Sequence, residues 1–196
     1  MNKELTKKED IEEYNEKCLF QNLTFSKYYD YAEIKNCHIK KCNLEKAIFQ
    51  GLDIEDTIIE ASNLSNQSLQ NRSFTNIEFK SCNLIGIDFS NSYLEKIIFQ
   101  NCNLQYANFT GTKIKQVNFI SCNLQNTYFD EIKWKKLEFD DCNLTEAEFQ
   151  KTSLKDIDVR NCEIKNIRLD KNHLEGLVVN YNQAALLATL LGVKIK

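Results

Sequence analysis

Large apolar residues recur at every fifth position from Ile34 to Val179, thirty in succession without a slip of register. The residue two before each of them is usually small or β-branched, as at Cys42, Ala47, Thr57, Cys82, Ala107 and Val117, and the positions between are mostly Asn, Asp, Lys, Gln or Glu. A period of five matches neither the 3.6 residues of a helix turn nor the 2 of a lone strand, so the chain turns once per repeat. Two inward positions in five describe a short strand followed by a tight turn. The tripeptide Cys-Asn-Leu begins at Cys42, Cys82, Cys102, Cys122 and Cys142, always a multiple of 20 residues apart, so four units close one square coil.

Four inward columns follow. The first runs through Leu44, Leu64, Leu84 and onward to Ile164. The second runs from Phe49 to Leu169, the third from Ile54 to Leu174 and the fourth from Ile59 to Val179. Like residues stack, as in a solenoid whose units cannot bury their apolar side alone. Gly51, Gly86, Gly111 and Gly176 each fall two after a central residue, where a turn calls for positive φ. Gln67, Arg72 and Asn172 stand at inward positions, which predicts distortion in the second coil, with Arg72 reaching outward. Before Ile34 the pattern continues one residue out of phase through Phe20 and Phe25, with the offset absorbed in Ser26–Glu33.

The five-residue pattern, small residue, Asn or Asp, Leu or Phe, then two polar turn residues, resembles that of the pentapeptide-repeat family. The resemblance covers about three quarters of the chain. It implies an all-β fold, a right-handed quadrilateral β-helix, here of about seven coils spanning about 35 Å between residues 34 and 179. The absence of proline suits backbone hydrogen bonding from coil to coil. Three segments are expected: a tail or short capping helix over 1–17, the β-helix over 18–180, and a C-terminal helix with a closing strand over 181–196. Thr6 to Glu9 has the spacing of a capping box. Ala184–Leu191 is apolar almost all round and Gly192 ends it.

The ending VVNYNQAALLATLLGVKI resembles the C-terminal segment of Qnr-type quinolone-resistance proteins, and the loopless register resembles MfpA-type rods. That resemblance implies a homodimer joined end to end through Leu186, Leu187, Leu190 and Leu191, with Val193 and Ile195 on the closing strand. It also implies binding to DNA gyrase or topoisomerase IV by imitation of duplex DNA. A helix apolar on both sides points the same way, since one side faces the rod and the other is left for a partner. A monomer with the helix buried in its own cap is the alternative.

Composition narrows the chemistry. With 42% apolar and 27% charged residues the chain is globular, and with no run approaching a membrane span and no apolar leader it is expected in the cytoplasm, away from membranes. The cysteines form a straight ladder, which does not converge on a metal as zinc ligands must, so they are expected to be packed free thiols. An Asn column from Asn43 to Asn143 is expected to form a hydrogen-bonded ladder beside them. His38 and His173 lie far apart, and no nucleophile or phosphate-loop motif is present, so no catalytic site, cofactor or metal is expected.

A net charge of −3 hides a segregation. Lys113, Lys115, Lys133, Lys135, Lys136 and Lys155 gather on the third face, and Glu138, Asp140, Asp141 and Asp158 on the fourth. The lysines lack interleaved aromatics, so direct nucleic-acid binding is not expected. The acidic strip, with Ile58, Ile98 and Ile120 on the same face, is the candidate partner-binding surface under the Qnr resemblance. An interaction scaffold with an unrelated target is the competing reading.

Overall fold

The computed structural model describes residues 5–190 and 192–194. Backbone conformation at the corners explains the five-residue period. A non-glycine residue with positive φ recurs at nearly every fifth position, for example Asn66, Asn71, Asn76 and Ser81 around one coil, with φ between 53° and 59°. One left-handed residue per unit turns the chain through a corner, and asparagine tolerates that conformation better than most residues. Gly86, Gly111 and Gly176 take the same role, at φ between 65° and 82°. Gly51 does not. It lacks a positive φ, and a Cβ there would lie 2.8 Å from the Tyr31 ring, so this glycine is needed for close approach instead.

The strands are β1 (Thr6–Lys8), β2 (Tyr14–Glu16), β3 (Cys18–Gln21), β4 (Tyr28–Tyr29), β5 (Ala32–Lys35), β6 (His38–Lys40), β7 (Ile48–Phe49), β8 (Leu52–Glu60), β9 (Ser73–Lys80), β10 (Tyr93–Gln100), β11 (Lys113–Ile120), β12 (Lys133–Asp140), β13 (Glu148–Phe149) and β14 (Arg168–Leu169). All pairing is parallel, and from β8 to β12 each partner lies 20 residues on. The result is a right-handed quadrilateral β-helix of about eight coils, or about 38 Å at 4.8 Å per coil. The third and fourth faces carry the long strands of one ten-stranded sheet, whereas the first two are joined mainly by single bridges such as Asn83–Asn103 and Asp88–Asn108.

The extra coil is N-terminal. Thr6–Lys8 is a strand paired with Cys18–Phe20, not the start of a helix or a loose tail. Its backbone satisfies the first edge of the sheet, which outweighs a local capping-box signal. The phase offset lies where expected: Thr24 pairs with Asn43, 19 residues away, while Tyr28 pairs with Ile48, 20 away. One residue is therefore missing between Phe25 and Tyr29.

Two columns of phenylalanine fill the interior. Phe79, Phe99, Phe119 and Phe139 stack as near-parallel, offset rings with centroids 4.9–5.3 Å apart, as do Phe89, Phe109, Phe129 and Phe149 at 4.9–5.4 Å. Across the rod the two columns meet edge to face, for example Phe99–Phe109 at 6.1 Å and Phe109–Phe119 at 5.6 Å. Both arrangements are the favoured ones for aromatic quadrupoles.

Of the polar residues at inward positions, Gln67 and Arg72 turn donors to carbonyls of the preceding coil, although Arg72 Nε is buried without a partner among the described residues, whereas Asn172 is exposed. Gln67 is buried, and its Nε2 donates to the carbonyls of Leu44 at 2.8 Å and Ala47 at 3.0 Å. Arg72 does not reach outward. Its Nη2 donates to Phe49 and Gln50 carbonyls at 2.9 and 3.2 Å, so the guanidinium is tucked under the preceding corner. A long donor reaches these carbonyls where a small residue cannot.

Both ends carry an amide plug. At the start, buried Asn15 donates from Nδ2 to the Glu12 carbonyl at 2.6 Å and the Glu33 carbonyl at 3.0 Å. At the other end lies α1 (Tyr181–Leu190), capped reciprocally: Gln183 N donates to Asn180 Oδ1 at 3.0 Å, and Asn180 N donates to Gln183 Oε1 at 2.8 Å. The Gln183 Nε2 then donates to the carbonyls of Val159 and Cys162 at 2.6 and 2.8 Å, closing the last coil. Gly192, at φ 83°, ends the helix in a Schellman turn, with Val193 N donating to Ala188 O and Gly192 N to Thr189 O, both at 3.0 Å.

Candidate partner-binding surfaces

The parallel register places the acidic residues on two successive coils near the C-terminal end of the fourth face. Glu138, Asp140 and Asp141 follow one another around a coil, and Glu138, Asp140 and Asp158 line a common shallow cleft with Asp156, Arg160 and Asn161. All four predicted acidic residues are exposed. The patch is partly neutralised from within. Arg160 grips Asp158 with Nε 3.0 Å from Oδ1 and Nη2 2.8 Å from Oδ2, which holds that carboxyl below the usual range. Asn161 Nδ2 donates to Asp140, and Ser121 Oγ to Asp141 at 3.2 Å.

Ile98 and Ile120 are half-buried on the same face. Ile98 sits between Glu78 and Asn118 in the ladder, and Ile120 between Gln100 and Asp140. Ile120 thus borders the acidic patch, Ile98 lies one coil further off with Asn118 between it and Glu138, and the two form no continuous apolar surface.

The C-terminal end is different. Tyr181 is 90% exposed, Leu186 48% and Leu190 55%, and Val178 and Val193 are also exposed, so the rod ends in uncovered apolar surface. Leu187 is half-buried against the core and faces the rod end. Leu191 and Ile195 lie outside the described residues. Among the described residues no closing strand follows α1: Gly192–Lys194 is turn and irregular backbone, and Val193 is exposed there.

The cysteines are packed in the interior of the rod. All eight are free and buried. From Cys82 to Cys162 the Sγ atoms point to carbonyls one coil back, as Cys122 to Phe99 O at 3.3 Å and Cys142 to Phe119 O at 3.4 Å. The Cys122 and Cys142 thiols are pushed up to about 12, first by the thiol of the preceding coil and further by burial, so they are protonated and poorly nucleophilic near neutral pH. Among the described residues no group of three or more His, Cys, Asp or Glu is placed to hold a metal. His38 and His173 sit at opposite ends, each beside a carboxylate, Glu60 and Asp170.

The asparagine column behaves differently from a continuous ladder. Asn63 and Asn83 do donate to the Asn one coil back, at 3.3 and 3.0 Å. More generally each Oδ1 accepts from the backbone N two residues on, as in Asn103 with Gln105 and Asn143 with Thr145, so its main work is to shape the corner.

The lysines stand on the third face, where Lys113, Lys133, Lys135, Lys136 and Lys155 are exposed. An aromatic is present among them after all. Trp134 is too large for its inward position, is half-buried, and donates from Nε1 to the Ser153 carbonyl at 2.8 Å. Among the described residues no helix is long and apolar enough to cross a membrane.

The pentapeptide repeat region profile matches residues 32–109 and 112–185. The chain belongs to the pentapeptide-repeat family. Full-length QnrB1, a plasmid-mediated fluoroquinolone resistance protein, is a similar solved structure: 22% identity, TM-score 0.54, 89% of this pentapeptide-repeat protein and 90% of QnrB1 covered. A trypsin-treated QnrB1 variant gives 21% identity and TM-score 0.44 over 90% and 99% of the two chains. HetL, a pentapeptide-repeat protein involved in heterocyst differentiation regulation in the cyanobacterium Nostoc sp. strain PCC 7120, gives 12% identity and TM-score 0.44 over 86% and 88%. No curated protein matches the sequence. The full-length QnrB1 likeness establishes a shared β-helix, and function rests on what the surfaces support.

Proposed function

We propose that this pentapeptide-repeat protein is a non-enzymatic rod that binds type II topoisomerases, DNA gyrase or topoisomerase IV, and shields them from quinolones. It acts as a dimer joined through α1 and the residues that follow it. The carrying observation is the combination of a loopless rod with the extent of a fluoroquinolone resistance protein, an acidic patch on its last coils, and an uncovered apolar end beside that patch. The dimer brings two such patches to either side of the joint, doubling a surface that is small in one chain. Glu138, Asp140, Asp141 and Asp158 supply the charge and Ile98 and Ile120 the adjoining apolar contact.

Charge sets a limit on the imitation of DNA. A duplex of the rod's length carries about 20 phosphate charges at one per 1.7 Å, against a net charge of −3 here. The mimicry is therefore local, confined to the acidic patch. The same shortfall favours a second reading, a scaffold whose target is unrelated to topoisomerases.

Supercoiling assays with purified gyrase, with and without ciprofloxacin, separate the two. Under the first reading micromolar protein inhibits supercoiling or restores it in the presence of the drug, and Glu138→Lys with Asp140→Lys abolishes the effect. Neither inhibition nor rescue by the unsubstituted protein leaves only the scaffold. The dimer has its own test: light scattering of a Leu186→Asp, Leu190→Asp variant, where a mass equal to the parent's eliminates the end-to-end joint.

A further inference from the structure

The third face is electrically polar along the rod. Its N-terminal coils present Glu33, Asp53, Glu55 and Asp56, with one cation among them, Lys35, paired to Glu55 at 2.7 Å, and its C-terminal coils present Lys113, Lys133, Lys135 and Lys136. Parallel pairing puts like charges side by side. Glu33 lies opposite Asp53 in one register, and Lys113 opposite Lys133 and Lys115 opposite Lys135 in another. Like charges directly opposite destabilise a sheet, and the same chain avoids the cost elsewhere by pairing Lys115 with Glu95 and Lys151 with Glu131 across coils. None of Lys113, Lys133, Lys135 and Lys136 has an ion-pair partner among the described residues. Between the two charged ends lie Ser73, Thr75 and Tyr93, together with Lys96 and with Glu95, which Lys115 neutralises at 2.6 Å.

We propose that two copies of the rod pair side by side and antiparallel through this face, the acidic end of each lying on the basic end of the other. A two-fold axis lying in the interface across the coil of Tyr93 keeps position along the strand and inverts position along the rod. Asp53 then meets the partner's Lys133, four coils from it in its own chain, and Glu55 meets the partner's Lys135. Each contact occurs twice, as an isologous interface requires. A lone polyanion fits the face less well, because lying along it would bring negative charge onto the acidic coils.

The face is flat and about 12 Å wide from the strand rise, and about 38 Å long from the coil spacing. Pairing thus buries roughly 900 Å² in total, at the low end for specific association. The pairing is accordingly weak and sensitive to salt, whereas the apolar end joint is not. A rod using both surfaces would assemble beyond a dimer.

The test uses full-length protein carrying Leu186→Asp and Leu190→Asp, so that the end joint does not contribute. Sedimentation velocity at 50 mM salt is expected to show self-association that weakens at least about tenfold at 500 mM. A Lys113→Glu, Lys133→Glu, Lys135→Glu variant and a Glu33→Lys, Asp53→Lys, Glu55→Lys variant, each with unchanged circular dichroism, are expected to be monomeric alone. Mixed one to one they are expected to recover association to within about threefold of the parent. Association of either variant alone at the parent's strength, or failure of the mixture, overturns the proposal. So does a monomeric parent whose lysines instead bind a single-stranded oligonucleotide, the outcome expected of a polyanion site.

Discussion

Replacing Phe109 by alanine tests whether the phenylalanine columns hold the rod together. Phe109 is fully buried, stacks on Phe89 and Phe129 at 5.4 and 5.1 Å, and meets Phe99 and Phe119 edge to face at 6.1 and 5.6 Å. Truncating a core phenylalanine costs about 3–5 kcal/mol. Four aromatic partners, each pair contributing about 0.5–1.5 kcal/mol beyond burial, put this site at the upper end, about 5 kcal/mol. Phe149 has only two such partners, Phe129 and Phe139, so its truncation is expected to cost about 3 kcal/mol. Coils contact only their neighbours, so loss at Phe149 frays the last coils whereas loss at Phe109 uncouples the halves. With a urea slope of about 2.5 kcal/mol/M, Phe109→Ala moves the unfolding midpoint by about 2 M. Phe109→Leu, which restores the residue the same column carries at Leu69, costs about 1.5 kcal/mol. A shift under about 0.5 M for Phe109→Ala at unchanged slope would refute the reasoning, because it would mean the columns are not in register.

Three further outcomes follow from the corners, the end and the thiols. Lys136 holds φ at 60° on an exposed corner, so Lys136→Asn or Lys136→Gly is expected to gain about 0.5–1 kcal/mol, read as a rise in melting temperature of about 1–4 °C; a fall would contradict the corner account. Gln183→Ala leaves the Val159 and Cys162 carbonyls without their donor and removes half the helix cap, costing about 2 kcal/mol; amide exchange should quicken in α1 and the last coil while the centre stays protected. The raised thiols of Cys122 and Cys142 favour the protonated folded state, so their contribution is complete below the ordinary value of 9.0 and is lost as pH rises toward 12. A disulfide exchange reagent at pH 8 should therefore react at the unfolding rate, and rapid stoichiometric reaction in the native state would show the ladder to be open.

The fold was legible in the sequence because each level of order shares one period. Thirty central residues at spacing five leave a single way to bury an apolar side, and the 20-residue recurrence of Cys-Asn-Leu fixes how many units close a coil. What escaped the pattern were residues acting through a single long donor. Arg72 and Gln67 look misplaced when position alone decides inward or outward, yet both reach carbonyls of the preceding coil. Asn15 and Gln183 fall outside the repeat, and although Asn180 and Gln183 stand at capping-box spacing, nothing in the sequence tells that the same amide also closes the rod. At the N-terminus a local helix signal lost to a sheet edge that a strand satisfies better.

The candidate surfaces were legible only as far as the repeat sets their position. Register alone puts Glu138, Asp140 and Asp158 together, but it does not tell that Arg160 turns back onto Asp158, or that Leu187 faces the rod while Leu186 and Leu190 face away. The net charge misleads for the same reason. A value of −3 describes a chain with little electrostatic character, yet 20-residue periodicity converts short runs such as KIK at 113–115 and KWKK at 133–136 into stacked columns of one sign. On a solenoid, charge is ordered by coil rather than averaged over the molecule. The relevant quantity for a partner is therefore the sequence of charges down one face: the third runs from acidic to basic, whereas the fourth alternates through Lys40, Glu60, Glu78 and Lys80 before it ends on Glu138 and Asp140.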